Sequence, residues 1–182
     1  MSVTTRGRMY RYVGPVELKE LVRAGGEGRS VRSSVDFVEW VSALTPGELA
    51  EPFTFVVDAG GTLRLAPRRS EHVVCAGGEE VLSAGEMSFL EEPGQWVVEE
   101  VSNQSTGYCP DVISWPAVAE ALDRIGIRHP SGFTHEVVFR RCRSCQERNI
   151  VREQDFVCVF CGKDLPREWN VAEPDRQVVE GL

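Results

Sequence analysis

Two pairs of cysteines, each with two residues between its members, constrain this chain more than any other feature. Cys142 and Cys145 form the first pair, Cys158 and Cys161 form the second, and 12 residues lie between the pairs. Two thiolates at this spacing can bind one ion from a single tight turn, and a second such turn completes a tetrahedral shell. The spacing therefore predicts one zinc ion, Zn²⁺, bound by all four cysteines.

The segment from Cys142 to Gly162 resembles a zinc ribbon, in which two short strands bring the two metal turns together. Gly162 follows the second turn, where the backbone often needs a conformation that glycine adopts easily. Four protein thiolates leave no open position for a reactive water, so we expect the ion to be structural rather than catalytic. The ribbon is predicted over residues 136–170, with a small apolar core of Ile150, Phe156, Val157 and Phe160.

Three other interpretations of the four cysteines remain open: a redox-active pair, two disulfide bonds, or a fortuitous cluster. A redox pair normally occurs alone and beside a βαβ pattern. Disulfides belong mainly to oxidising compartments, whereas the start of this chain lacks the apolar core of a signal peptide. No apolar run is long enough to cross a bilayer. We therefore expect a cytoplasmic protein with no membrane partner.

Cys75 and Cys109 lie outside the two pairs. Each falls inside or at the end of a run that is predicted to form a strand. Buried neutral thiols are the expected outcome, and a reactive thiol is the alternative.

The distribution of charge argues against nucleic acid as a partner. Residues 138–168 carry seven basic and five acidic side chains. A zinc ion with four thiolates adds about −2, so this segment is close to neutral when loaded. The rest of the chain carries 13 basic and 23 acidic residues within a total charge of −8. Such a surface repels phosphate backbones, so we expect a protein partner; the sequence gives no indication of the oligomeric state.

Helical patterning occurs in three places before the cysteines. A helix is predicted to begin at Gly14-Pro15, a second at Ser34 as its N-cap, and a third over Trp115–Ile125 with Ser114 as its N-cap. Pro46-Gly47 is predicted to close the second helix. The first helix is predicted to bury one apolar stripe, made of Val16, Leu18, Leu21 and Val22.

β-Prone runs separated by glycine-containing turns fill the centre of the chain and favour an antiparallel meander. Together with the helices, they predict an α+β domain over residues 1–130, with helices packed on an antiparallel sheet and followed by the zinc ribbon. Residues 171–182 are predicted to form a frayed tail. The strands are predicted at residues 8–13, 53–57, 62–66, 72–75, 80–90, 96–101 and 136–139.

Three short segments of this domain are distinctive: Cys75-Ala-Gly-Gly78, Ser83-Ala-Gly-Glu86 and the run from Val101 to Pro110. With these segments, residues 53–127 resemble the central domain of plant IQ-motif-containing calmodulin-binding proteins and of related bacterial and fungal sequences. Both histidine-containing motifs of that family are altered here, to Glu71-His72-Val73 and Thr106-Gly107-Tyr108. The resemblance therefore implies a fold more than an activity, and the family's calmodulin-binding helix has no counterpart.

Four polar residues are candidates for an active site: Arg11, His72, Glu86 and Tyr108. His72 can serve as a general base beside Glu86, and Tyr108 can line a polar pocket. The order of Arg11, Ser33-Ser34 and a later glutamate loosely resembles that of ADP-ribosyltransferases, in which the arginine would contact the pyrophosphate of NAD. Each candidate also has a purely structural interpretation, such as a hydrogen-bonded histidine.

We therefore predict a binding or adaptor module with a structural zinc ion. An enzyme of the ADP-ribosyltransferase or hydrolase type is the alternative.

Overall fold

A computed structural model describes residues 7–172 of the 182-residue chain. The chain divides after Val137 into two units, and the fold is α+β, as predicted. From residue 173 onward, the predicted tail lies outside the described residues. No helix within residues 7–172 has the length and apolar character that a bilayer crossing requires.

The first unit is built on a five-stranded antiparallel sheet with strand order β1-β3-β2-β4-β5. The predicted hairpin around Asp58 is confirmed, and Asp58 Oδ1 accepts hydrogen bonds from the backbone N–H groups of Gly60 and Thr62, both at 2.9 Å. β1 was not predicted, because its three residues are too few to show an alternating pattern. The strands are β1 (Arg29–Val31), β2 (Phe53–Asp58), β3 (Leu63–Ala66), β4 (Val81–Glu92) and β5 (Gln95–Val101).

One face of the sheet packs against two helices, α2 (Ser34–Ser42) and α5 (Trp115–Ile125). α5 buries residues at helical spacing and ends at Gly126, whose φ of 79° is a left-handed conformation that glycine adopts without strain. The principal apolar core therefore lies between this face and the two helices. Its helical members are Phe37, Val41, Val118, Ala121, Leu122 and Ile125.

The opposite face of the sheet contacts α4 (His72–Cys75), a single helical turn. Thr54 points towards this face and donates from Oγ1 to the Ser70 carbonyl at 3.1 Å. The predicted strand at residues 72–75 is therefore wrong. Four consecutive residues are too few for periodicity to separate a buried strand from a helical turn.

Two predictions near the start of the described chain are wrong. The predicted strand at residues 8–13 is reduced to one bridge, between Tyr10 and Val81. The first helix exists as a single turn, α1 (Val16–Lys19), but it buries none of its residues. Val16 and Leu21 are 65% and 52% exposed, so the predicted apolar stripe does not face a core.

The N-caps of α2 and α5 differ from the predicted ones. α2 begins at Ser34 as expected, but its N-cap is Ser33, whose Oγ accepts from the Asp36 backbone N–H at 3.2 Å. Ser114 is buried and its hydroxyl lies 3.0 Å from that of Ser83, so it makes no cap for α5. It ends a short 3-10 turn, Val112–Ser114. A further helical turn, α3 (Pro46–Leu49), starts at the proline that was predicted to stop α2.

The chain crosses closely over the middle of β4. A Cβ atom placed on Gly85 would lie 1.9 Å from the carbonyl oxygen of Ser102, so the crossing requires glycine at this position. The Ser102 backbone N–H donates to the Glu86 carbonyl at 2.9 Å. The segment after β5 is thereby held in close contact with β4.

The second unit contains a two-stranded antiparallel sheet of β6 (Val138–Arg141) and β7 (Arg148–Val151). The first cysteine pair lies in the turn that joins these strands. The second pair follows β7, in a turn closed by a bridge between Val157 and Asp164.

Candidate metal centre

The sulfur atoms of Cys142, Cys145, Cys158 and Cys161 all lie within 4.8 Å of one another. The Sγ atoms of Cys142 and Cys161 are 3.6 Å apart, as are those of Cys145 and Cys158. A tetrahedral ion with metal–sulfur bonds of about 2.3 Å requires sulfur–sulfur distances of about 3.8 Å. The cluster therefore has the dimensions of a metal site.

The first cysteine turn is closed by main-chain hydrogen bonds. The Cys142 N–H donates to the Glu147 carbonyl at 2.9 Å, and the Gln146 N–H donates to the Cys142 carbonyl at 2.9 Å. Gln146, which follows Cys145, has a φ of 66°. The turn is thus a tight loop that holds both thiols on one side.

The second cysteine turn repeats this geometry. The Cys158 N–H donates to the Lys163 carbonyl at 2.8 Å, and the Gly162 N–H donates to the Cys158 carbonyl at 2.9 Å. Gly162 has a φ of 72°, a left-handed conformation that glycine adopts easily, which confirms the prediction for the residue after this turn. Two equivalent turns therefore present two sulfurs each to a common centre.

Asn149 connects the two turns and was not identified from the sequence. Its Nδ2 donates to Cys158 Sγ at 3.4 Å and to the Glu147 carbonyl at 3.0 Å, while its Oδ1 accepts from the Val159 N–H at 2.9 Å. The side chain is 3% exposed. Asn149 therefore orients a candidate ligand from outside the ligand set, as residues around metal sites commonly do.

Two of the four clustered thiols, Cys158 and Cys145, have shifted pKa values. Burial acts to raise the pKa of Cys158, but the backbone N–H groups of Phe160 and Cys161 and the amide of Asn149 lower it to about 6. In Cys145 the backbone N–H of Glu147 favours the thiolate, yet burial and the neighbouring sulfurs raise the pKa to about 12. Crowded thiols resist simultaneous ionisation, and a bound cation removes that resistance.

The core of the second unit differs from the predicted one. Ile150, Val157 and Phe160 are 36%, 40% and 62% exposed, so their predicted burial is wrong. Of the predicted set only Phe156 packs on the buried cluster, beside Leu165. The buried members of this cluster are Cys142, Cys158 and Leu165.

Two arginines complete this core by covering Phe156. The guanidinium carbon of Arg167 lies 4.1 Å from the ring centroid, and that of Arg140 lies 5.7 Å away. Arg140 is buried, and its guanidinium donates to the main-chain carbonyls of Phe139, Pro166 and Arg167. Cation–π contact and carbonyl acceptors together compensate for burying this charge.

His72 and Glu86 lie close in the fold but take part in different contacts. Nε2 of His72 is 2.9 Å from the Gly85 carbonyl, so this nitrogen carries the proton and donates it. Burial lowers the pKa of His72, which favours the neutral ring. Glu86 lines a separate depression of about 150 Å³ together with Gln104 and His135.

Tyr108 and Arg11 occupy different environments again. The Tyr108 hydroxyl donates to the Glu79 carbonyl at 2.7 Å, its ring packs edge-on against Tyr12 at 5.7 Å, and burial raises its pKa. Arg11 is exposed. Ser33, one of the two serines in the residue order that resembles the transferases, caps α2. A catalytic role for any of the four candidates stays a prediction.

The loop after β5 uses its polar residues to bind main chain. Asn103 is fully buried; its Nδ2 donates to the carbonyls of Pro110 and Val137, and its Oδ1 accepts from the Val137 N–H. Ser105 Oγ accepts from the Tyr108 N–H at 3.3 Å. These hydrogen bonds fix the backbone conformation of the loop.

Cys75 and Cys109 are both buried, as expected. Burial raises the pKa of the Cys75 thiol to about 12, so this thiol stays protonated at neutral pH.

No protein-family model, curated protein or solved structure matches this chain. The resemblance of residues 53–127 to plant calmodulin-binding proteins therefore has no support beyond its short segments. For the zinc-ribbon resemblance, the structure shows a four-cysteine cluster close enough to hold a metal ion.

Proposed function

We propose that this chain is a zinc-binding protein that acts as a binding or adaptor module, with one structural Zn²⁺ held by Cys142, Cys145, Cys158 and Cys161. The observation that carries the metal assignment is the approach of four sulfur atoms to within 4.8 Å on two equivalent turns. Thiolate donors in a tetrahedral arrangement suit zinc, with iron as the main competitor.

A structural rather than catalytic ion follows from the donor set. Four protein sulfurs complete the shell, so no position remains for water or substrate. The second unit has a small core, centred on Phe156 and Leu165, and a metal ion supplies stability that so few apolar contacts lack.

Support for a binding role comes from the first unit. His72 and Tyr108 each donate a hydrogen bond to a main-chain carbonyl, which is a structural role for both side chains. Residues 1–137 carry 12 basic and 20 acidic side chains, an excess of negative charge that suits a cationic protein partner better than a nucleic acid. Thiol-based zinc binding also suits a reducing compartment such as the cytoplasm.

Metal analysis of the protein, purified under reducing conditions, tests the assignment. We expect one zinc per chain, released by a thiol-modifying mercurial, and loss of zinc in the variants Cys142→Ser and Cys161→Ser. Cys75→Ala and Cys109→Ala are matched controls because these two thiols lie outside the cluster, and both should retain zinc. Iron in place of zinc, or equal loss in the controls, would contradict the proposal.

A further inference from the structure

A cleft of about 360 Å³ lies in the first unit, between the end of α2, α3 and the start of β2. Trp40, Leu44 and Phe53 form its apolar inner wall, and Pro67 adds to this wall from the segment after β3. This site is remote in sequence from the four cysteines, and no part of it is used by the metal centre.

The aromatic wall of the cleft is held rigidly. The ring of Trp40 packs edge-on against Phe53 with centroids 4.8 Å apart, and against Phe89 at 5.8 Å. Phe37 contacts the same indole at 5.6 Å. Three ring contacts fix the orientation of Trp40, so a ligand that meets this indole does not need to order it.

Two glutamates lie at the mouth of the cleft. Glu48 is fixed by Thr45, whose backbone N–H and hydroxyl both donate to Oε2, at 2.7 and 2.9 Å. These hydrogen bonds lower the pKa of Glu48, so its carboxylate is ionised at neutral pH. Glu51 forms an ion pair with Arg68.

Glu51 is paired within the chain by Arg68, which also lines the cleft. A guanidinium already sits on the carboxylate at the edge of an aromatic wall. Both side chains are almost half exposed, at 45% and 44%, and such exposed pairs contribute little stability. An external guanidinium can therefore replace that of Arg68 at small cost.

We propose that this cleft binds an arginine side chain carried by a flexible segment of a partner protein. The aliphatic stem of that arginine lies along Trp40 and Leu44, and its guanidinium replaces Arg68 on Glu51. Arginine fits better than lysine because its planar group stacks on indole and binds a carboxylate through two parallel N–H donors. The acidic excess of residues 1–137 attracts a basic segment. This inference rests on the proposed binding role but not on the metal.

Nuclear magnetic resonance titration of the zinc-loaded, full-length protein tests the proposal. The probe is a blocked, glycine- and serine-rich peptide with one arginine, and the matched probe carries citrulline, the neutral isostere of arginine. We expect the arginine peptide to shift the Trp40 indole signal and the amide signals of Leu44, Glu48 and Phe53. The citrulline peptide should bind at least about tenfold more weakly, because the charge-assisted hydrogen bonds are lost.

Two substitutions at the mouth should change affinity in opposite directions. Glu51→Gln removes the charged acceptor and should weaken binding about threefold to fivefold, the upper end for a partly exposed ion pair. Arg68→Gln removes the competing guanidinium and should strengthen binding several-fold. Glu92→Gln is the matched control. Glu92 forms a partly exposed ion pair with Arg128 outside the cleft, so this substitution should leave the affinity for the arginine peptide unchanged.

Several results would overturn this inference. Equal affinity for the citrulline peptide would make the cleft an apolar groove, and equal affinity for free arginine amide would make the ligand a small molecule. No signal change at millimolar peptide would exclude the site. If the protein holds zinc but fails this test, only the arginine site is refuted. If it binds the peptide but holds no zinc, only the metal assignment is refuted.

Discussion

Asn149 donates a hydrogen bond from Nδ2 to the sulfur of Cys158 at 3.4 Å, so a residue of β7 helps to hold a candidate metal ligand in the following turn. The same side chain accepts from the Val159 N–H. The position of the second pair of thiols therefore depends on an amide that contributes no ligand of its own.

Replacing Asn149 with alanine should weaken zinc binding about tenfold or more, because loss of a residue that orients a ligand typically has an effect of this size. Competition with a chromophoric chelator measures the affinity. Asn170→Ala is the control, since Asn170 is another buried asparagine of the same unit and its side chain bonds the main chain of Arg141. An equal loss of affinity in both variants would indicate general destabilisation instead of a role in positioning Cys158.

Removal of zinc should unfold the second unit and leave the first folded. The cluster around Cys142 and Cys158 has few apolar members, whereas the first unit has a large core of its own. A chelator added under reducing conditions should collapse the amide signals of residues 138–172 in a heteronuclear NMR spectrum, and zinc should restore them. Retention of those signals without metal would show that the unit does not depend on the ion.

Gly85→Ala should destabilise the first unit by about 3 kcal/mol, at the upper end of the usual cost of overpacking, because the new methyl group would overlap the Ser102 carbonyl oxygen. Urea unfolding followed by circular dichroism measures the change. Gly132→Ala is the matched control, because a Cβ atom there meets nothing within 4 Å. A Gly85→Ala variant as stable as the control would mean that the segment after β5 can shift without cost.

His72 should make the stability of the first unit depend on pH. Burial holds its folded pKa below the ordinary value of 6.5, so the unfolded chain binds the proton first as pH falls. The contribution is complete above pH 6.5 and is lost progressively as pH decreases towards the folded pKa. The free energy of unfolding, measured at pH 7.5 and 5.5, should fall less in His72→Gln than in the unsubstituted protein. His135→Gln, at an exposed position, should behave like the unsubstituted protein.

The elements that were predicted correctly are those whose signals are local. The hairpin of β2 and β3 was predictable because two β-prone runs flank a turn with glycines, and the cysteine pairs because ligand spacing is a property of one segment. α5 was predictable for the same reason: its apolar residues recur at helical spacing and Gly126 stops it.

The failures come from contacts between distant residues. Nothing near His72 in the sequence indicates that its ring meets Gly85 on another element, and the four-residue turn around it is compatible with strand or helix. Asn149 was missed because its bond to Cys158 forms only when two turns meet. The predicted core of the second unit failed because Phe156 packs against arginines rather than against Ile150 and Phe160.

Val159 and Phe160 are 77% and 62% exposed, which bears on how the sequence of the second cysteine turn can evolve. Main-chain hydrogen bonds close this turn, so its shape does not depend on the side chains at these two positions. Substitutions there can alter the surface that the loop presents while its backbone stays the same. The two positions between the second pair of cysteines are therefore suited to evolve independently of the fold.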